Sequence, residues 1–291
     1  MKVLLLGATG SIGASVLSAL MSRGHELLGL ARSDSAADAL STLGAQPVRG
    51  DIRWPDEWAD IAKSVDAVIQ VVGDFTADAE SVGRNLISTL LRRIEARRGG
   101  AYPAYIYTGG CWLYGATGDR VATEDSPLNA PAEWAWSIDH LRMVLGAPGV
   151  RGIVIHPAMV YERDGGVLAG FRDDLSTLGR VRIFGHENIR WPLVHRADIG
   201  ELYALALERA PRGVSYNGAT VDSITVGALA RAMACRAGVD ATPLVRSIDE
   251  AVAEFGAWVR GYAIDQRMSG AKARRELRWL PTHTDPVADI S

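Results

Sequence analysis

Residues 2–24 read KVLLLGATGSIGASVLSALMSRG, and this stretch decides the fold. Its start, KVLLL, is the short, nearly unbroken apolar run that a strand buried on both faces requires. The run stops at Gly7. From Ser11 onward apolar residues return at three- and four-residue intervals, the spacing of one helix face, up to Gly24, which can end the helix. A strand therefore feeds a helix through a short turn marked by Gly7, Gly10 and Gly13.

The same rhythm repeats along the chain. HELLGLA (25–31) reads as a second strand, SAADALSTLG (35–44) as a helix, QPVRGD (46–51) as a short strand and PDEWADIAKS (55–64) as a helix opened by Pro55. DAVIQVVG (66–73) gives a fourth strand, residues 78–98 a long helix and AYIYTGG (104–110) a fifth strand. EWAWSIDHLRMVLG (133–146) reads as a helix and RGIVIHPAMVY (151–161) as a sixth strand. Strands alternating with helices through right-handed crossovers form a doubly wound parallel α/β sheet, with ligands outside the carboxyl ends of its strands. Past Tyr161 the pattern is mixed and glycine-rich, as expected of a smaller C-terminal substrate-binding cap. ADIGELYALALERA (197–210) reads as an amphipathic helix, and GVSYNGA (213–219) as a strand that can return to the main sheet. The expected division is a core over 1–160 and a mainly substrate-binding region over 161–291, with about 190–220 rejoining the core.

A chain of 291 residues buries enough surface to need neither disulfides nor a structural metal. Its formal charge of -3, from 31 Lys+Arg and 34 Asp+Glu, shows no basic excess that would draw nucleic acid. The run RRIEARR (92–98) is local, and a solvated helix face explains it more cheaply than an anion site. Cys111 and Cys235 lack the spacing of a disulfide framework or a cysteine-rich metal site, so no metal is expected. The apolar start meets glycine too early for a signal peptide, and no run of about 18 apolar residues follows. A cytoplasmic protein with a small-molecule substrate, and neither nucleic acid nor membrane as partner, is the expectation.

Gly7 permits a tight turn, Gly10 lets backbone approach a pyrophosphate, and Gly13 lets the helix meet the sheet. Thr9, Ser11 and Ile12 complete this turn, where the helix N-terminus presents unpaired N–H groups to phosphate. The end of the second strand reads GLARSDS (29–35). NAD sites commonly place an acid there for the ribose hydroxyls, whereas an arginine accommodates a 2′-phosphate. Arg32, aided by the Ser33 hydroxyl, favours NADP, with NAD still possible. The competing reading makes Arg32 a surface cation and turns Asp34 to the ribose. Asp51 and Ile52 fall where an adenine would lie, although Asp51 also suits a helix cap; both roles can coexist.

These residues resemble the extended short-chain dehydrogenase/reductase family, often called NAD-dependent epimerase/dehydratase. The resemblance covers nearly the whole chain, through GATGSIG (7–13), GDI (50–52), YGATGDRVATEDSPLNAP (114–131), HPAMVYERDGG (156–166), WPLVHRADIG (191–200) and SGAKARRELRWLP (269–281). It implies a Rossmann-type dinucleotide-binding core, a smaller substrate domain and a possible homodimer. It also implies cofactor contacts from Val71, Val72 and Gly73 beside the adenosine ribose, and from Pro157 to Tyr161, including Val160, beside the nicotinamide. His195 and Asp198 match a motif at the substrate cleft, where a conventional core role for His195 competes with substrate contact.

The resemblance breaks at the chemical centre. The family supplies a helical Tyr and Lys four residues apart on one face, the tyrosine moving the proton and the ammonium lowering its pKa. Here Trp136 and His140 stand in those places. An indole donates a hydrogen bond but has no useful acid/base proton near neutrality. Gly110 replaces the usual fifth-strand hydroxyl, while Thr108 keeps one two residues earlier. Thr108, Tyr114 and His140 are therefore the candidate catalytic groups. Cys111 reads as a small buried hydrophobe. Trp112, Trp134, Trp136 and Trp191 suit either a flat apolar ligand or packing, and Trp112, Tyr114, Trp136, Trp191 and His195 are the substrate-contact candidates. The leading expectation is an NADP-dependent oxidoreductase on a small, apolar or aromatic carbonyl/alcohol pair. The alternatives are a non-catalytic NAD(P)-binding regulator and a non-redox isomerase or lyase on the same fold.

Overall fold

The computed structural model describes residues 1–290 except 74, 75, 77, 96–101 and 164. Arg97 and Arg98 of the basic run lie outside the described residues. The first elements are β1 (Lys2–Leu6), α1 (Ser11–Ser22), β2 (Glu26–Ala31), α2 (Asp34–Thr42), β3 (Gln46–Arg49), β4 (Ala67–Gln70), α3 (Ala79–Glu95), β5 (Ala104–Thr108), α4 (Ser137–Gly146) and β6 (Arg151–Pro157). There follow β7 (Met159–Glu162), β8 (Gly165–Gly166), α5 (Ala169–Leu178), β9 (Arg182–Phe184), β10 (Arg190–His195), α6 (Arg196–Arg209) and β11 (Val214–Gly218). The chain ends with β12 (Val221–Thr225), α7 (Val226–Arg236), β13 (Leu244–Arg246), α8 (Ile248–Phe255), α9 (Ala271–Leu277) and α10 (Pro286–Ile290).

The main sheet is parallel and seven-stranded, in the order β11-β6-β5-β4-β1-β2-β3. This is the Rossmann-type doubly wound arrangement that the alternating pattern predicted. Val3, Leu4, Leu5 and Leu6 are fully buried, so β1 is an interior strand with both faces covered. The strand order turns at β1, whose neighbours are β4 and β2, and such a reversal opens a crevice at the carboxyl ends.

Three expected elements differ. Residues 55–64 form two short 3-10 segments rather than one helix. The helix expected from Glu133 begins at Ser137, leaving Trp134 and Trp136 in the turn before it. The single strand expected over 151–161 breaks after Pro157, and β6 and β7 join different sheets. Periodicity cannot detect that break, because both pieces are apolar and buried.

The chain forms two compact units, interleaved in sequence. The first comprises 1–109, 136–155 and 199–216; the second comprises 110–135, 156–198 and 217–291. In the first, Arg151 ties β6 to α6 by donating to the carbonyls of Leu207 at 2.6 Å and Ala210 at 2.7 Å. In the second, β12-β10-β7-β8 form one sheet and β13-β9 another. The buried Asp198 fastens the C-terminal segment there, accepting from the backbone N–H of Thr282 at 2.9 Å and of His283 at 3.0 Å. Its own carbonyl accepts from the indole of the fully buried Trp279 at 2.9 Å. Among the described residues no helix is long and apolar enough to cross a membrane.

A Cβ on Gly13 would lie 1.9 Å from the Gly7 carbonyl oxygen, and backbone cannot yield as a flexible side chain does. Gly13→Ala should lower unfolding free energy by about 1–3 kcal/mol in urea titrations. Gly110→Ala, whose Cβ meets nothing within 4 Å, is the control that should leave the midpoint unchanged.

Candidate functional site

β1 ends at Leu6 because Gly7 adopts φ +88°, a turn conformation that a side chain would strain. The Gly10 N–H closes that turn on the Gly7 carbonyl at 3.0 Å. A Cβ at Gly7 would also meet Cβ of Val72 at 3.0 Å, so the turns after β1 and β4 lie side by side where the strand order reverses. Helix α1 starts from Gly10 with no side-chain cap and no acidic residue in its first turn. Its first N–H groups therefore lack the partners that caps usually provide, and their positive field faces outward. Thr9, Gly10 and Ser11 are exposed, Ile12 is half-buried, and Gly13 is buried under the helix. This cradle fits the paired phosphates of a dinucleotide by chemistry and by space.

Beyond β2, Arg32 is exposed and makes no ion pair among the described residues. Asp34, the acid that could have turned to a ribose, is instead held by Arg49 from the end of β3. Ser33 caps α2, accepting from the Ala36 N–H at 3.2 Å. Arg49 had no signal in the sequence, since its partnership depends on β3 lying beside β2. Asp51 accepts from the Arg53 N–H at 2.9 Å, and its carbonyl accepts from the Trp58 indole at 2.8 Å. The turn-capping part of its expected roles is thus formed. Ile52 is half-buried beside it, while Val72 is half-buried and Gly73 exposed past β4.

The candidate catalytic groups of the first unit are separated by the sheet. The Thr108 hydroxyl lies 2.6 Å from the Gln70 carbonyl and 2.6 Å from the phenolic oxygen of Tyr203 on α6. Tyr107, one residue earlier and so on the opposite face, meets the His140 ring edge-on at 6.5 Å. His140 is fully buried, edge-on to Trp136 at 4.9 Å between ring centroids, and so close to α3 that a Cβ on Gly83 would lie 2.7 Å from its ring. Neither ring nitrogen makes a hydrogen bond of ordinary geometry. Burial, and then the Arg84 charge, hold its pKa below the usual imidazole value. Thr108 and His140 therefore do not converge on one reacting atom.

A polar cluster in the second unit engages the remaining candidate. The Tyr114 phenol is buried and donates to Oδ1 of Asn217 at 2.8 Å, and the Asn217 N–H donates to Glu124 at 2.7 Å. Burial, with the Glu124 charge behind it, pushes the Tyr114 pKa up, away from easy proton release. His156, immediately before the buried Pro157, receives the Gly110 N–H on Nδ1 at 3.4 Å and lies 5.4 Å from the Tyr114 ring. Sequence reading passed over His156, Asn217 and Gln70 because each is a single polar residue within or at the end of a strand. Cys111 is buried, and burial pushes its thiol up to about 12.

Trp112 packs on Trp134 at 4.7 Å and on Tyr262 at 5.5 Å, and Trp191 also meets Tyr262 at 5.5 Å. Three of the four indoles are thus one cluster through Tyr262, and Trp136 is the one that instead covers His140. Val160 is half-buried in β7. His195 stacks on His283 at 3.6 Å, and each offers a ligand atom within 4.8 Å of the Asp198 carboxylate. These three groups could close on a divalent ion, but the loop at 282–283 already occupies both oxygens of Asp198.

Residues 3–219 match the NAD dependent epimerase/dehydratase family. The chain belongs to that family. A relative in Saccharomyces cerevisiae, described as an uncharacterized protein, is 27% identical over 297 residues, covering 100% of this chain and 98% of its own. A Stigmatella aurantiaca protein, the 4-hydroxy-2-methyl-3-oxo-4-farnesyl-3,4-dihydroquinoline-1-oxide ketoreductase, is 25% identical over 225 residues, 74% of this chain and 67% of its own. Among solved structures, the human epimerase family protein SDR39U1 with NADPH superposes with a TM-score of 0.78 at 20% identity, covering 100% of this chain and 98% of its own. In this family member the glycine turn opens an uncapped helix, and residues 136 and 140, just before and on α4, are Trp and His.

The buried His156 gives a stability signature. Burial lowers its pKa to about 4, against about 6.5 in an unfolded chain. The neutral form is the folded one, so the contribution is complete above the unfolded value and is lost as pH falls between the two. Unfolding free energy should drop by on the order of 3 kcal/mol across that window. His156→Asn, which keeps an acceptor near Nδ1, should flatten the slope in urea titrations repeated along the pH series.

Proposed function

We propose that the protein is an NADP-dependent oxidoreductase acting on a small, apolar or aromatic carbonyl/alcohol pair. The observation that carries this reading is the uncapped start of α1 over the glycine turn, paired with an unengaged Arg32 beside an Asp34 that Arg49 neutralises. The α1 N–H groups hold the pyrophosphate. Arg32 pairs with the 2′-phosphate, and Arg49 removes the carboxylate that would repel it. When bound, the nicotinamide supplies or accepts the hydride.

The residues around the carboxyl ends of β5 and β6 act by position rather than by titration. Thr108, locked to Gln70 and Tyr203, stiffens the end of β5. Tyr114, donating to Asn217, fixes the segment that follows it. The proton needed by the substrate oxygen then comes from water. Support for a carbonyl substrate also comes from the ketoreductase of Stigmatella aurantiaca among the relatives.

The engagement of Thr108, Tyr114 and His140 in buried contacts also favours a second reading, a non-catalytic dinucleotide-binding regulator. Single-turnover mixing with NADPH and a panel of aromatic and aliphatic ketones, followed at the nicotinamide absorbance, separates the two. Oxidation of the cofactor is expected; tight binding with none across pH would leave the regulator.

Cofactor choice is tested by calorimetry at low salt. NADPH should bind about tenfold or more tightly than NADH, and Arg32→Ala should remove most of that difference, the value of a charge-assisted pair being about 1.5–3 kcal/mol. Equal affinities in the parent protein would end the NADP assignment.

A further inference from the structure

We infer that the aromatic cavity of the second unit is a binding site for a neutral, flat, ring-bearing molecule with one acceptor oxygen, such as an aromatic ketone. This class deepens the carbonyl reading above and rests on it. The cavity, of about 330 Å³, is walled by Phe171, Phe184, Trp191, Phe255, Trp258 and Tyr262. Their rings already lie against one another, Phe171 stacked on Trp191 at 6.1 Å and Trp258 edge-on to Tyr262 at 5.7 Å. Phe255 and Trp258 keep 36% and 45% of their surface exposed, so ligand can enter past them.

Charge decides the ligand class. The cavity lining holds one cation, Arg182, and one anion, Asp174. The buried Asp174 takes the Arg182 Nε–H at 2.8 Å and its backbone N–H at 2.9 Å, and Glu254 takes a third contact at 3.1 Å. The Arg182 guanidinium is thus paired with two carboxylates, one of which, Glu254, also faces Arg246 at 3.7 Å, and the guanidinium face covers the Phe255 ring at 5.5 Å. A carboxylate or diphosphate entering here would be buried without a counter-ion, which is heavily penalised. Nucleotide sugars are disfavoured on that ground.

The remaining polar groups narrow the choice further. Both indole N–H groups of the lining are engaged, Trp191 with the Tyr262 carbonyl at 3.0 Å and Trp258 with the Phe255 carbonyl at 2.7 Å. They offer rings and no donor. The Tyr262 phenol has no hydrogen-bond partner among the described residues, and burial pushes its pKa up. It supplies one donor to one acceptor oxygen.

The test is calorimetric titration of the full chain, without nicotinamide cofactor, with 2-acetonaphthone, 2-naphthoate and UDP-glucose. The ketone should saturate one site, the carboxylate with the same rings should bind about tenfold or more weakly, and the sugar nucleotide should not saturate. Trp258→Ala, at a partly exposed position, should weaken the ketone about tenfold, and Tyr262→Phe about fivefold, with circular dichroism checking the fold of each. Carboxylate or sugar nucleotide binding as tightly as the ketone would overturn the assignment, as would no ketone binding, or ketone affinity unchanged in both variants. Ketone binding that NADPH never converts to alcohol would leave this site standing and remove the oxidoreductase reading instead.

Discussion

Helix α1 rests on the end of β1 with no side chain between them, because Gly13 presents only hydrogen to the Gly7 carbonyl. Everything else at the phosphate end follows from that contact. It brings the helix start level with the carboxyl edge of the sheet, beside the turn that follows β4. It leaves Gly10 at the helix entrance, where a larger residue would cover the N–H groups. The covered core of β1 makes the arrangement rigid, since Val3 to Leu6 have no exposed surface through which the strand could relax.

The polar groups nearest the expected chemistry have been drawn into structure. Gln70 illustrates how. Its side chain accepts from the Tyr105 phenol at 2.6 Å while its backbone carbonyl accepts from Thr108. Buried polar atoms require partners, and here the hydroxyls of Tyr105 and Thr108 serve the two oxygens of Gln70. His140 has the opposite fate, buried beside Gly83 and Trp136, with its pKa lowered by desolvation.

The second unit shows a different economy of charge. Arg182, Arg190 and Arg196 each face a carboxylate, from Asp174, Asp265 and Glu162 respectively. Of these cations only Arg182 lines the aromatic cavity, and its pairing withdraws it from an anionic ligand there. The C-terminal segment is secured in the same manner through Asp198, whose carboxylate serves the backbone of Thr282 and His283. His195, which the sequence left between a core and a substrate role, stacks on His283 beside this clamp.

Local signals in the chain determined the alternation of strands and helices, the glycine turn that opens α1, and the identities of Arg32, Trp136 and His140. These are legible because apolar period, glycine and single-residue identity act over a few neighbouring positions. Tertiary structure alone decided that the run at 151–161 divides between two sheets, that Asp34 belongs to Arg49, and that Thr108 and His140 lie on opposite faces. It alone assembled a cavity from residues between 166 and 262. The physical reason is that pairing, burial and charge neutralisation are set by which distant segments pack together, and one sequence pattern is compatible with many such partners until the chain has folded.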